Sequence, residues 1–311
     1  MQQPLKIIFA GTPEISKIVL DRLITSGFNI KLALTQMDRP AGRGKKLTQS
    51  PVKQLALEHN IEVFQPQSFK NNPEAIDKIR VLESDIVVVV AYGLILPKAF
   101  LDIPKLGCVN IHVSLLPHLR GAAPINRAII EGADKSGVTI MQMDRGLDTG
   151  AILLQQAIPI EPRETAGSLH NKLAKLGADM IIDYLNNYKQ INPIPQDDTK
   201  ATYAHKISKA EAQINFNEDA YIIERKIRGF NPHPGSFTFL DNERLLVWEA
   251  HVVNQSSNLP VGTIIDCLND GILVACGNLI IKITELQLAG RKRQNAREFS
   301  QGYPDLAGKV L

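Results

Sequence analysis

Two polar residues close an apolar run near the middle of the chain. In Cys108-Val-Asn-Ile-His112, alternation along a strand puts Asn110 and His112 on one face. Open α/β sheets bind ligands at the C-terminal ends of their strands, so the pair forms a candidate polar site. A lone histidine is more often a satisfied core or surface group, and the neighbouring asparagine is what favours a shared pocket. Directly after it, the prolines and small residues of Ser114-Leu-Leu-Pro-His-Leu-Arg-Gly-Ala-Ala-Pro124 fix the backbone. That segment reads either as a ligand cradle with available amides or as a rigid connector. Gly146-Leu-Asp-Thr-Gly150 offers a carboxylate in a glycine-flanked turn, a place where aspartate by itself is usually a turn former. Gly11-Thr12-Pro13 opens a helix whose free N–H groups could hold an anion. It lacks GxGxxG, so a dinucleotide site is not supported, and a tight strand-to-helix turn is the preferred reading. Charge gathers in two places, Arg39, Arg43, Lys45 and Lys46, and then Arg291, Lys292, Arg293 and Arg297.

The elements that must position these residues follow from periodicity. Strand-like runs at 6–10, 30–35, 85–91 and 108–113 alternate with helical patterns at 14–25, 52–59, 73–82 and 124–131. Such alternation predicts a parallel sheet with helices on both faces. Strand candidates at 138–143 and 151–160 and a long helix at 165–187 complete this part. Pro193, Pro195, Gln196, Asp197 and Asp198 mark an exposed connector. Beyond it, a helix near 218–228 precedes short strands at 236–240, 245–252, 262–266, 272–275 and 279–288, with turn residues between them. About five short strands in such a domain suit an OB-like barrel, a fold that often binds nucleic acid.

Composition excludes more than it names. With 44% hydrophobic and 22% charged residues, the chain is an ordinary folded protein, and its 311 residues suit two domains. The longest apolar run, beginning at Ile86, is too short to cross a bilayer. The N-terminus has neither a basic leader nor a cleavage site, so a cytoplasmic location is expected. Cys108, Cys267 and Cys276 form no CxxC pair, which suggests neither zinc nor redox chemistry. A net charge of +3 is small, so any nucleic-acid site must come from local clusters. Nothing argues for a subunit interface, and a monomer is the expectation.

Asn110, His112, Ser114-Leu-Leu-Pro117, Arg120-Gly-Ala-Ala-Pro-Ile125 and Gly146-Leu-Asp-Thr-Gly150 together resemble the active-site motifs of the 10-formyltetrahydrofolate-dependent formyltransferases. Asp38-Arg-Pro-Ala-Gly-Arg-Gly-Lys-Lys46, Val89-Val-Ala-Tyr-Gly-Leu-Ile-Leu-Pro97 and Phe230-Asn-Pro-His-Pro234 narrow the likeness to the branch acting on initiator methionyl-tRNA, across nearly the whole chain. Val113 departs from the pattern, where glycine is expected between the histidine and serine, and its side chain would narrow the folate pocket.

The resemblance implies a Rossmann-like α/β catalytic domain over 1–189 with a parallel-rich sheet, a linker over 190–207, and an OB-like tRNA-binding domain over 208–311. It implies Asn110, His112 and Asp148 as the catalytic set. Asn110 and a protonated His112 would stabilise the oxyanion formed when an amine attacks the formyl carbon. Asp148 would orient His112 and favour its charged form. Asp148 or a water would then accept the amine proton while folate N10 leaves protonated. Ser114, Leu115, Leu116 and Pro117 are expected to read the pterin edge, and 10-formyltetrahydrofolate is the expected donor with no metal. Arg39, Arg43, Lys45 and Lys46 read as a mobile, irregular loop. The resemblance turns its solvated-surface reading into insertion at the tRNA acceptor end. Arg291, Lys292 and Arg293 would follow a phosphate backbone. Two other readings stand beside this one: the same chemistry on a nucleotide-linked amino sugar, against which the basic loop speaks, and a non-catalytic RNA-binding module that keeps a dead enzyme fold, which predicts loss of Asn110, His112 or Asp148, none of which is lost.

Overall fold

The apolar runs of the first part become the strands of one sheet. In the computed structural model, which describes residues 4–41, 44 and 46–311, the chain begins with β1 (Lys6–Gly11), α1 (Glu14–Thr25) and β2 (Asn29–Leu34). A hairpin of β3 (Arg39–Ala41) and β4 (Lys46–Thr48), α2 (Pro51–Glu58), β5 (Val63–Phe64), α3 (Pro73–Arg80) and β6 (Ile86–Val90) follow. Then come α4 (Lys98–Leu101), β7 (Cys108–His112), β8 (Arg120–Gly121), α5 (Pro124–Ile130), β9 (Lys135–Gln142), β10 (Ile152–Pro159) and α6 (Ala166–Asn187).

Seven of these strands form a sheet in the order β10-β9-β7-β6-β1-β2-β5. Pairing is parallel for β1 with β2 and β6, for β2 with β5 and for β6 with β7, and it is antiparallel for β7 with β9. Every residue of β6, Ile-Val-Val-Val-Val, is buried, as strands covered on both faces must be. Local signals start the helices. Ser50 accepts a hydrogen bond from Lys53 N–H with Pro51 in the first turn, and Asn72 does the same for Ala75 with Pro73. Helix α6 approaches closely where a Cβ on Gly177 would meet Ile111 Cγ2 at 2.8 Å. The turn at Gly11-Thr12-Pro13 is occupied structurally: Thr12 Oγ1 donates to Tyr92 O and accepts from Gln36 N–H, and Ser16 Oγ donates to Val90 O.

The second part holds β11 (Tyr203–Ala204), α7 (Ala220–Gly229), β12 (Ser236–Leu240), β13 (Glu243–Val253), β14 (Ile264–Leu268), β15 (Gly271–Ala275), β16 (Ile280–Leu288), β17 (Gln294–Asn295) and α8 (Ala296–Gly302). Strand β11 pairs with β8, and the remaining strands make an antiparallel, OB-like sheet in the order β12-β13-β16-β15-β14 with β17 on β16. Its inner face, with Val247, Val274, Ile281 and Leu286, packs with Ile223 of α7 into a core of its own.

Contacts divide the chain into two units. The first takes the described residues up to Pro124, Ser136–Ile158 and His170–Ala204; the second takes Ile125–Lys135, Pro159–Leu169 and His205–Leu311. Two stretches early in the sequence thus join the later unit, which periodicity does not reveal. Among the described residues, no helix is long and apolar enough to cross a membrane.

Candidate active site

Strand β7 delivers the first two side chains. Asn110 is half-buried, pairs in register with Val89 and Met141, and its side-chain amide has no protein partner among the described residues. His112, only 6% exposed, lies two residues further on. Its Nε2 donates to Leu119 O at 3.0 Å, and its Nδ1 lies 3.6 Å from Asp148 Oδ2. Both ring nitrogens therefore face acceptors, so a neutral ring satisfies one of them with an N–H and a protonated ring satisfies both.

Asp148 reaches His112 from a distant turn. Its φ of 55° lies in the left-handed region, which aspartate tolerates better than most residues. The same Oδ2 accepts Gly121 N–H at 2.8 Å. The turn itself is built on glycine, because a Cβ on Gly150 would sit 1.7 Å from Gln142 O. Asn110, His112 and Asp148, expected together, are brought together around the end of β7.

The Ser114–Pro117 stretch is held by its own hydrogen bonds. Ser114 O accepts from Thr139 Oγ1 (2.7 Å), Leu115 O from His118 N–H (3.0 Å), Leu116 O from Gln155 Nε2 (2.9 Å) and Pro117 O from Thr202 N–H (3.4 Å). Leu116 N–H is also taken, by Thr139 Oγ1 at 3.2 Å. The carbonyls thus keep only a second lone pair for a ligand, so the stretch is both a rigid connector and a shaped wall. Val113 lies outside the positive-φ residues, so its backbone does not require glycine.

The basic clusters lie on the two units separately. Arg39 and Lys46 are exposed on β3 and β4, which pair Arg39 with Thr48 and Ala41 with Lys46. The arms of the expected irregular loop are therefore a β-hairpin, a correction that short-range backbone pairing explains and composition does not. Arg43 and Lys45 lie outside the described residues. At its base, Asp38 accepts from Lys53 Nζ (2.7 Å) and Gln65 Nε2 (2.8 Å), and these bonds hold its carboxyl below the usual range. In the second unit Arg291, Lys292 and Arg293 are exposed after β16. Arg293 pairs with Glu285 and lies 5.3 Å from the Trp248 ring, whereas Arg291 and Lys292 have no ion-pair partner among the described residues.

Sequence reasoning included Leu119 and Gly121 in the 114–125 segment without an individual role, and it missed Gln196 and Thr202 as supports of this site. Leu119, Gly121, Gln196 and Thr202 all hydrogen-bond to it, directly or through one neighbour. Gly121, at φ 114°, carried a signal in its residue type. Gln196 and Thr202 carried none, because they sit in a stretch whose composition reads only as connector.

Comparisons with known proteins cover both parts of the chain. The formyl transferase family matches residues 5–185, and the formyl transferase C-terminal domain matches residues 206–304. The methionyl-tRNA formyltransferase of Nitrosomonas eutropha is 49% identical over 302 residues, covering 96% of this chain and 95% of that protein. That of Pseudoalteromonas translucida is 50% identical over 309 residues, covering 98% and 96%. Among solved structures, the N-formyltransferase from Helicobacter canadensis in complex with folinic acid and dTDP-3-aminofucose superposes with a TM-score of 0.63. It has 17% identity, over 90% of this chain and 98% of that one, a likeness of fold.

Proposed function

The chain belongs to the formyl transferase family, and on that footing we propose how its residues do the family's chemistry. It carries the formyl group of 10-formyltetrahydrofolate to the free amino group of methionine on initiator methionyl-tRNA, giving N-formylmethionyl-tRNA for translation initiation. The observation that carries the acceptor is the match along nearly the full length of methionyl-tRNA formyltransferases, at 47–50% identity, through both domains. The enzyme works in the cytoplasm as a monomer, with residues 190–207 joining its catalytic domain to its tRNA-binding domain.

Asn110, His112 and Asp148 are its catalytic set. In the reaction the amine nitrogen bonds to the formyl carbon, the carbon–N10 bond breaks, the amine loses a proton and N10 gains one. The unpartnered Asn110 amide is a preorganised donor for the oxygen that becomes negative, the kind of group whose removal costs about 10²–10³ in kcat. His112, protonated, supplies a second donor when its Nε2 exchanges the Leu119 carbonyl for that oxygen. Asp148 faces Nδ1 as the opposite charge and keeps the ring plane fixed. Its other oxygen, without a protein partner among the described residues, is placed to take the amine proton directly or through water. The Ser114–Pro117 wall, braced from behind by Thr139 and Gln155, fits a flat pterin edge by shape and by the remaining lone pairs. Arg39, Arg43, Lys45 and Lys46 grip the acceptor end, and Arg291, Lys292 and Arg293 the backbone further along.

The test is formyl transfer by the purified chain from 10-formyltetrahydrofolate, with methionyl initiator tRNA, uncharged tRNA and a nucleotide-linked amino sugar as parallel acceptors. Formylation of the charged tRNA alone, with kcat reduced at least about 10²-fold in His112→Ala, is the expected result. Transfer only to the sugar would overturn the acceptor, and an unaffected His112→Ala would overturn the site.

A further inference from the structure

Residues 194–204 lie between the two stretches that match the formyltransferase domains, 5–185 and 206–304. The segment is polar and mostly exposed, yet it touches the partners of both His112 ring nitrogens. On the Nδ1 side, Gln196 Nε2 donates to Asp148 O at 2.8 Å and to Gly150 O at 2.7 Å, bracing the turn that holds Asp148 at φ 55°. On the Nε2 side, Thr202 Oγ1 accepts Leu119 N–H at 2.9 Å, and Thr202 O accepts Arg120 N–H at 2.9 Å. Leu119 is the residue whose carbonyl holds Nε2, and its own φ is 58°.

Arg120 ties the two sides together. It is 1% exposed, among the largest fully buried side chains, and an arginine so deep needs its donors satisfied. Its Nε and Nη2 both donate to Gln196 Oε1, at 3.1 and 2.8 Å, and Nη2 also donates to Asp198 Oδ1 at 2.7 Å. The Gln196 amide can take only one orientation here. Its oxygen faces the guanidinium and its nitrogen faces two carbonyls, and a flip would set donor against donor and acceptor against acceptor. The next residue after Arg120 is Gly121, whose N–H holds the Asp148 carboxylate. The ring of contacts is therefore closed: Asp148 carboxylate, Gly121, Arg120, Gln196, Asp148 carbonyl.

We propose that residues 194–204 are a strap of the active site, in which Gln196 (locked by Arg120) and Thr202 are positioning residues that set His112 between Asp148 and Leu119. This rests on the reading of Asn110, His112 and Asp148 as the catalytic set. The strap touches no substrate; it acts through the two acceptors that fix the imidazole ring. Such a residue moves turnover more than binding, because about 1 Å of misplacement costs on the order of 10²-fold in rate.

The experiment compares Gln196→Ala, Thr202→Val, Thr202→Ser, His112→Ala and the double variant Gln196→Ala/His112→Ala in the full-length enzyme. Formyl transfer to methionyl initiator tRNA is followed across pH, with thermal melting for each variant. Expected are a kcat lowered about 10-fold or more in Gln196→Ala and Thr202→Val, KM for both substrates within about threefold, and a displaced pH profile of kcat. Thr202→Ser, which keeps the hydroxyl, restores most of the rate. The double variant falls below His112→Ala by much less than Gln196→Ala falls below the wild type, since most of the effect of Gln196 passes through that ring and only the proton-accepting part of Asp148 remains to be lost. Lower melting temperatures with kcat per folded molecule and pH profile unmoved would overturn the strap and leave it a structural brace. Full activity in His112→Ala would instead sink the catalytic set on which the strap rests.

Discussion

Gly150→Ala places a methyl carbon 1.7 Å from the Gln142 carbonyl oxygen and 2.8 Å from its carbonyl carbon, both backbone atoms of β9. Gln142 cannot give way easily. It pairs with Val109 in the sheet, its N–H donates to Ala151 O at 2.9 Å, and its side chain donates to Cys108 O at 3.1 Å. The turn at 148–150 must therefore recede, by roughly 1.7 Å or more, to reach ordinary van der Waals contact. Asp148 is two residues away and already 3.6 Å from His112 Nδ1, so the retreat breaks the pairing on which the ring depends. Overpacking of this kind costs about 1–3 kcal/mol of stability. The displacement itself predicts a loss of about 10²-fold or more in kcat. The assay is the initial rate of formyl transfer at saturating donor and acceptor, corrected for folded fraction by thermal melting. Gly27→Ala is the control: its site has φ 80° with nothing within 4 Å, so it strains the backbone by about 1–2 kcal/mol and leaves turnover alone. A Gly150→Ala enzyme with wild-type kcat and an unchanged melting temperature would refute the placement of this turn.

Two further predictions concern charge. Hydrogen bonds from Arg127, then from the Ser208 N–H, hold Glu211 down to about 2 against an ordinary 4.5. A depressed carboxylate stabilises the fold above its ordinary value and loses that contribution as pH falls from 4.5 toward 2. Because the Glu211 side chain is 37% exposed, solvent screens the pair and the effect is about 1 kcal/mol or less. Glu211→Gln should flatten the acid limb of urea-melt stability in that window, and an unchanged limb would exclude the pair as its source. Arg39 and Lys46 are exposed and have no ion-pair partner among the described residues. Neutralising both should reduce the slope of log Kd for methionyl-tRNA against log salt by roughly 1.4–1.8, near 0.7–0.9 per phosphate contact; an unaltered slope would remove them from the RNA interface.

The local pattern of the sequence determined much of this protein. Continuous apolar runs became the parallel strands, and period-two alternation put Asn110 and His112 on one face at the end of β7. The helix read at 14–25 and the strand read at 236–240 are observed with those bounds. Each of these depends on residues within one element, and periodicity records that kind of information. The two-residue strands β8 and β11 and the arms of the 39–48 hairpin were not legible, because they exist only through pairing with another segment. Tertiary structure alone decided how Asp148 meets His112, how Leu119 turns its carbonyl to the same ring, and how Gln196 and Thr202 brace both. A hydrogen bond between residues 48 positions apart, such as that from Gln196 to the Asp148 carbonyl, leaves no period in either segment. Buried Arg120 shows the difference plainly. Its residue type predicts a solvated surface, and only the folded chain supplies the Gln196 and Asp198 oxygens that let its charge stay inside.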